Sequence, residues 1–211
     1  MRGAASTGAS GAGVEVHGIT RSAFLLRGAL AAGSLYGAAA VAPAVERALA
    51  KGPGGDIAIV NFALGLETLE AAFYKKAVAV KGLSGPVKKA LQEIAGHEDA
   101  HVKQLKQTLE QLGATATPAP AASFPSLGDE NAVLSRAIKL EETGVGAYNG
   151  AAPMIESSDL LIAAGSIVQV EGRHAGALRE LAHQDPAPAA FDKALSQDDV
   201  RRAVAPYAKL P

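Results

Sequence analysis

Cysteine is absent from the 211-residue chain, and so is tryptophan. Without cysteine the chain cannot form a disulfide, a thiolate zinc site, a cysteine-ligated iron–sulfur cluster or a cysteine nucleophile. Any metal site must therefore use oxygen and nitrogen ligands. Because exported and cytosolic proteins can both lack disulfides, this absence leaves the cellular compartment open.

The chain also lacks an excess of either charge. Twenty lysines and arginines face twenty-one acidic residues, for a net charge of -1. This balance provides no basic surface for a nucleic-acid backbone, so we expect no nucleic-acid partner. With 48% hydrophobic residues, the chain can bury a core of one domain or at most two. Its many alanines and few β-branched runs favour helices over a sheet.

Residues 1–50 are interpreted as a targeting leader and linker. The segment Thr20–Arg27 precedes a weakly apolar stretch, Gly28–Val45. This order resembles a degenerate twin-arginine export signal in which Ser22 replaces the second arginine. We expect export to the cell envelope, with transient membrane contact through the leader. An uncleaved membrane anchor and a cytoplasmic protein are the alternatives.

Glycine and proline positions divide the rest of the chain into helices. The pattern predicts helices over about 56–81 with Asp56 as N-cap, 86–112, 129–153 and 157–183. The proline-rich residues 114–128 are too long for a tight turn and predict a crossover. Two hairpins joined by a long crossover predict an all-α four-helix bundle over residues 51–185. The tail, 186–211, is predicted to hold a short helix capped by Ser196 and Asp199.

Acidic residues occupy positions where a helical pattern expects apolar side chains. In the second and fourth predicted helices these positions hold a Glu-x-x-His pair, and in the other two a glutamate. The residues are Glu98 with His101, Glu171 with His174, Glu67 or Glu70, and Glu141, which the phase favours over Glu142. An ionised carboxylate inside a bundle is costly unless it is paired, protonated or bound to metal.

Spacing predicts that each hairpin brings its two acids to the same level. The midpoint between Glu67 and Glu98 falls at the first turn, and the midpoint between Glu141 and Glu171 falls beside the second. A tyrosine also follows the first acid of each hairpin by seven residues, at Tyr74 and Tyr148. The two predicted hairpins therefore share one pattern of glutamate, tyrosine and Glu-x-x-His, which indicates an internal duplication.

One glutamate from each of two helices plus a Glu-x-x-His from each of the other two is the ligand set of a dinuclear carboxylate centre. Imidazole and carboxylate together suit iron or manganese, so we predict two such ions per chain. The alternative is a buried ion-paired network without metal, with residues such as Lys139 or Arg173 as partners. We expect His97 to lie at the surface or beside the site, and the two tyrosine hydroxyls to reach carboxylates.

The region 56–183 resembles the ferritin-like superfamily. Residues 61–74 are similar to the first helix of exported bacterial ferritin-like domain proteins of the desiccation-related type. Residues 97–102 and 170–175 resemble that family's two ligand motifs. The resemblance implies the ligands Glu67, Glu98, His101, Glu141, Glu171 and His174, and it favours Glu67 over Glu70 because a tyrosine often follows the first ligand by seven residues.

Three functions follow as expectations. The first is a dinuclear iron or manganese oxidoreductase that acts on Fe(II), dioxygen or peroxide in stress protection. The second is a non-catalytic metal-binding protein of the cell envelope, and the third is a metal-free helical interaction module. No catalytic residue is assigned beyond Tyr74 and Tyr148 as neighbours of the site, and a homo-oligomer is an alternative to a monomer.

Overall fold

The structure is a computed structural model that describes residues 55–211. The predicted leader and linker, residues 1–50, lie outside the described residues. The helices are α1 (Gly55–Ala77), α2 (Gly85–Gln111), α3 (Glu130–Ala151), α4 (Ser158–Leu181) and α5 (Gln197–Val204), with a short 3-10 helix, Ala152–Met154, after α3. Residues 55–211 contain no strand. The predicted all-α fold with a short C-terminal helix is confirmed.

The helix ends show which local signals were interpreted correctly. Asp129 caps α3, Ser157 caps α4, and Ser196 forms the expected reciprocal capping box of α5 with Asp199. Helix α1 ends at Ala77, before the predicted residue 81, because the backbone then tightens into three-residue turns.

Asp56 has a different role from the predicted N-cap. It lies inside the first turn of α1, and its carboxylate accepts hydrogen bonds from the backbone N–H groups of Glu156 (2.8 Å) and Ser157 (2.9 Å). These bonds connect the start of α1 to the turn that precedes α4. Asp56 therefore connects the two hairpins instead of capping the N-terminus of α1.

The crossover runs along α1 and sets the direction of the second hairpin. Thr117 N–H donates to Asn61 Oδ1 (2.7 Å), and Lys76 Nζ donates to the carbonyl oxygen of Phe124 (2.6 Å). The crossover thus travels from the first half of α1 to its end, so that α3 begins where α1 ends. As a result α1 and α3 are antiparallel, and α1–α2 and α3–α4 are the closely packed hairpins.

Apolar side chains form two buried clusters, one on each side of the middle of the bundle. The first fills the end where α1 finishes and α2 and α3 begin, and it includes Phe73, Leu91, Leu134 and Leu178. The second fills the opposite end and includes Val60, Leu64, Leu105, Leu109, Leu160 and Ile167. The polar residues considered below lie between these clusters.

The C-terminal tail packs on α3 and joins the first cluster through Val200, Val204, Ala208 and Leu210. Its contact with α3 requires glycine. Leu195 N–H donates to the carbonyl oxygen of Gly146 (2.8 Å), and a Cβ at Gly150 would lie 1.8 Å from the carbonyl oxygen of Leu195. These two glycines therefore let the tail cross the helix at backbone distance.

Within the described chain, α1 is the one helix long and apolar enough to cross a membrane by length and composition. More than half of that stretch is buried inside the protein, and it includes two buried glutamates, Glu67 and Glu70. A core helix of a bundle passes the same test of length and composition, and the burial of α1 identifies it as such a helix.

We expect Gly150→Ala to lower the free energy of unfolding by about 1–3 kcal/mol, because the added Cβ displaces the backbone of the tail. The matched control is Gly165→Ala in α4, where nothing lies within 4 Å of an added Cβ. That change should be neutral or stabilise the protein by up to about 1 kcal/mol. Chemical denaturation of both variants measures the difference, and equal stabilities would contradict the tail packing.

Candidate metal centre

The candidate ligands come together in the middle of the bundle, between the two apolar clusters. Helix α1 contributes Glu67, α2 contributes Glu98 and His101, α3 contributes Glu141, and α4 contributes Glu171 and His174. The four glutamates are at most 1% exposed, and the two histidines are 9% and 5% exposed. The spacing of the sequence thus brings all six predicted residues to one level, as expected from the hairpin midpoints.

The side chains divide into two groups, each with the donor atoms for one metal ion. Ligand atoms of Glu67, Glu98, His101 and Glu171 lie within 4.8 Å of one another, and so do those of Glu98, Glu141, Glu171 and His174. Glu98 and Glu171 belong to both groups. Shared carboxylates between two sets of terminal ligands are what a dinuclear centre requires.

Each histidine directs one nitrogen at three carboxylates. His101 Nδ1 lies 3.1 Å from Glu171 Oε1, 3.2 Å from Glu67 Oε2 and 3.4 Å from Glu98 Oε2. A single N–H group serves one acceptor well, and the well-directed hydrogen bond is the one to Glu67. The carboxylates of Glu98 and Glu171 lie near this nitrogen but accept no well-directed hydrogen bond from it.

His174 repeats this arrangement in the second hairpin. Its Nδ1 lies 3.1 Å from Glu141 Oε2, 3.2 Å from Glu98 Oε1 and 4.0 Å from Glu171 Oε1. The well-directed hydrogen bond is the one to Glu141. The internal duplication predicted from the sequence therefore extends to the contacts of the two imidazoles.

Three carboxylates in this cluster accept no well-directed hydrogen bond, although two of them lie beside an imidazole nitrogen. Both oxygens of Glu70, Glu98 and Glu171 are buried, and none of the six accepts a hydrogen bond of good geometry within the described residues. Lys139 and Arg173, the partners proposed for a metal-free network, are both exposed. Buried carboxylates without a well-directed hydrogen bond are costly, and carboxylate oxygens together with imidazole nitrogens fit hard metal ions such as iron or manganese.

Two tyrosines hold the glutamates that belong to one group only. Tyr148 of α3 donates its hydroxyl to Glu67 Oε1 of α1 at 2.6 Å, and Tyr74 of α1 donates to Glu141 Oε1 of α3. Each bond leaves the other oxygen of the glutamate facing a histidine. Both hydrogen bonds connect one hairpin to the other, and they hold the carboxylates of Glu67 and Glu141 in position.

Glu70 lies in the same buried cluster, fully excluded from solvent. A Cβ at Gly144 would lie 3.0 Å from Glu171 Oε2 and 3.3 Å from Glu70 Oε1, so this glycine leaves room for both carboxylates. Glu70 belongs to neither metal-compatible group. Glu142, the other alternative ligand, lies outside the cluster, where its half-exposed side chain pairs with Arg179.

His97 lies against the outer side of His174. Its Nδ1 is 2.9 Å from His174 Nε2, and the two rings are nearly parallel, at 9°, with centroids 5.2 Å apart. The sequence indicated a position at the surface or beside the site, and His97 occupies both, since its side chain is exposed.

Burial and mutual repulsion set the charges of the cluster. Burial raises the pKa of Glu67 and Glu70 well above the usual value, with further increases from neighbouring carboxylates. Burial and the charges of Glu141 and Glu98 raise the pKa of Glu171 to about 8, although the nearby imidazole of His101 acts in the opposite direction. Burial also opposes ionisation of Glu98, but both imidazoles outweigh it and lower its pKa to about 2.

The carboxylates have the opposite effect on the histidines. Burial alone lowers the pKa of an imidazole, but Glu171, Glu67 and Glu98 raise the pKa of His101 to about 12. Glu141 and Glu98 similarly raise the pKa of His174 to about 10. The metal-free cluster therefore holds protons on both imidazoles at neutral pH.

We expect metal binding to release protons and to tighten as pH rises. Both histidine pKa values lie above 7, so the imidazoles are protonated without metal and must lose a proton to become ligands. Calorimetric titration with Mn(II) in buffers of different ionisation enthalpy measures the number of protons released. Affinity that stays constant between about pH 6 and pH 8, with no proton release, would contradict this assignment.

The fold and the cluster define a class of protein: a helical bundle with a buried carboxylate–histidine site compatible with metal binding. The chain belongs to the ferritin-like domain family, whose family model matches residues 55–184. Among solved structures, it is similar to the crystal structure of a conserved hypothetical protein, rv2844, from Mycobacterium tuberculosis. That likeness has 19% identity and a TM-score of 0.53, and it covers 64% of this chain and 94% of the other. At this identity it supports the fold alone, and no curated protein matches the chain significantly.

Proposed function

We propose that the protein binds two iron or manganese ions and performs redox chemistry with Fe(II), dioxygen or peroxide in stress protection. The observation that carries the proposal is the pair of overlapping ligand groups that share Glu98 and Glu171. An ion-pair network needs no such sharing. The excess of buried carboxylates gives further support, because five buried glutamates face only two buried imidazoles and three of them accept no well-directed hydrogen bond.

In this proposal each ion has its own terminal ligands. Glu67 and His101 would hold one ion, Glu141 and His174 would hold the other, and the two shared glutamates would contact both. Oxygen and imidazole nitrogen ligands of this kind suit Fe and Mn. When bound, two such ions would each supply one electron as they are oxidised from +2 to +3. Two electrons and two protons reduce one dioxygen molecule to hydrogen peroxide.

The chain's own residues prepare the site for this chemistry. Burial and the charge of Glu67 raise the pKa of Tyr148 well above its usual value, and burial and Glu141 do the same for Tyr74. Both hydroxyls therefore keep their protons and continue to donate to the terminal carboxylates. The apolar clusters at each end exclude bulk water from this layer. Ligands held this way keep their orientation without metal.

Metal analysis tests the proposal directly. After anaerobic incubation of the full chain with Fe(II) or Mn(II) and desalting, we expect about two ions per chain. Glu98→Gln and Glu171→Gln should each lose most of this metal, because each removes a charge shared by both groups. Glu110→Gln, an exposed change in the same helix as Glu98, should retain it.

Thermal unfolding of the same variants separates loss of ligand from loss of fold. Metal content unchanged in both shared-glutamate variants, with the fold intact, would refute the dinuclear centre. If metal is retained, oxidation of the loaded protein by dioxygen or peroxide with repeated turnover separates a redox enzyme from a non-catalytic metal-binding protein. Metal retained without turnover would favour the second.

We also propose that the chain acts in the cell envelope after export by the leader in residues 1–50. The support is the arginine-led apolar pattern of Thr20–Val45. We expect the native full-length gene product, followed by an antibody against the bundle, to appear outside the cytoplasm, and Arg21→Ala to reduce that fraction. Arg27→Ala, six residues closer to the apolar stretch, is the matched control. Unprocessed protein found only in the cytosol would refute export.

A further inference from the structure

A small apolar cavity lies beside the metal centre, at the end of the bundle filled by the second cluster. All four long helices contribute to its walls, together with the tail. Its volume is about 40 Å³, and its apolar lining includes Val60, Ala63, Leu66, Leu105 and Ile167, together with Tyr148.

The interior of this cavity offers almost no polar group. The polar side chains of its lining other than Tyr148 are Gln104, Thr108 and Gln197, all of them exposed or half-buried and therefore at its outer rim. A buried water needs roughly 10–15 Å³ and two to four polar partners. The cavity has the room for water but lacks the partners, so its chemistry suits a small apolar molecule.

The inner wall of the cavity is also the wall of the metal centre. The side chain of Tyr148 lines the cavity, while its hydroxyl donates to Glu67 Oε1 at 2.6 Å. Leu66 precedes Glu67 in the chain, and Leu105 follows His101 by one helical turn. Tyr148 is therefore the residue that both lines the cavity and contacts a carboxylate of the cluster.

We propose that this cavity binds dioxygen and delivers it to the metal centre. Dioxygen is apolar and loses little on leaving water, whereas hydrogen peroxide loses hydrogen bonds that an apolar interior cannot replace. The assignment rests on the proposed dinuclear function and deepens it, since it selects dioxygen over peroxide as the oxidant.

Xenon binding tests the cavity without relying on activity. Xenon enters dry apolar cavities, so crystals of the full chain under xenon pressure should show density bounded by Leu105, Tyr148 and Ile167. Ala63→Leu should abolish that density, because the added carbons fill the space. Ala147→Leu, from α3, fills the cavity from another wall and protects the test against a folding defect in one variant.

The matched control is Ala182→Leu, a half-buried alanine that packs against the first cluster. It should retain the xenon density. Absence of xenon from this cavity in the unaltered protein would overturn the proposal.

Oxidation rates test the delivery of dioxygen. Metal content is measured first, so that only variants with the normal complement of Fe(II) are compared. We expect Ala63→Leu and Ala147→Leu to slow oxidation by dioxygen about tenfold, while oxidation by hydrogen peroxide keeps its rate. Ala182→Leu should change neither rate.

Failure of this proposal is distinguishable from failure of the proposed function. Normal dioxygen rates in the filled variants, or equal slowing with both oxidants, would overturn dioxygen delivery while the dinuclear centre stands. Loss of metal from the unaltered protein would refute the dinuclear centre itself, and with it the delivery of dioxygen to that centre.

Discussion

Five glutamates and two histidines are buried at one level of this bundle, and the excess of negative charge constrains everything around them. Two imidazolium groups can neutralise two carboxylates, which leaves three to be protonated or to bind cations. Burial raises the pKa of Glu67, Glu70, Glu141 and Glu171, which is the first response in the metal-free protein. In the proposed function metal binding would be the second response, because two divalent ions would balance the negative charge that the two imidazoles leave.

The rest of the fold can be understood as the support of that layer. Each hairpin contributes a tyrosine whose hydroxyl donates a hydrogen bond to a glutamate of the other hairpin. Glu67 and Glu141 are therefore each oriented by the other half of the molecule. Gly144 leaves space where any side chain would contact the carboxylates of Glu70 and Glu171. Apolar clusters above and below the layer keep the local dielectric low, which strengthens each electrostatic contact within it.

Much of this arrangement follows from the sequence because a helix has a fixed period and a hairpin has a fixed midpoint. Residue counts and the positions of two turns are enough to predict that Glu67, Glu98, Glu141 and Glu171 lie at the same level of the bundle. Interactions between residues distant in the chain were harder to predict. The local sequence predicts a helix cap at Asp56, whereas the partners of its carboxylate, Glu156 and Ser157, lie about a hundred residues later.

Glu70 shows a second limit of the same kind. Its position on the core side of α1 was evident, but its lack of a hydrogen-bond partner depends on side chains from the other helices. The glycines show a third limit. A glycine in a helix can leave room for a ligand, a helix or a tail, and only the packing of Leu195 reveals that Gly150 makes room for the tail.

The two hairpins carry equivalent candidate ligands, but the residues packed around Tyr74 differ from those packed around Tyr148. On the Tyr74 side, Phe73 packs edge-on against that tyrosine at 5.2 Å and against Phe124 at 5.6 Å, which fills the space with rings. On the Tyr148 side, small residues such as Ala63 and Ala147 line the wall, and a cavity remains. The two groups of candidate ligands therefore have similar residues but different neighbours. A small apolar molecule has room to approach from the side of Glu67 and His101, so this difference in packing makes the two halves chemically unequal.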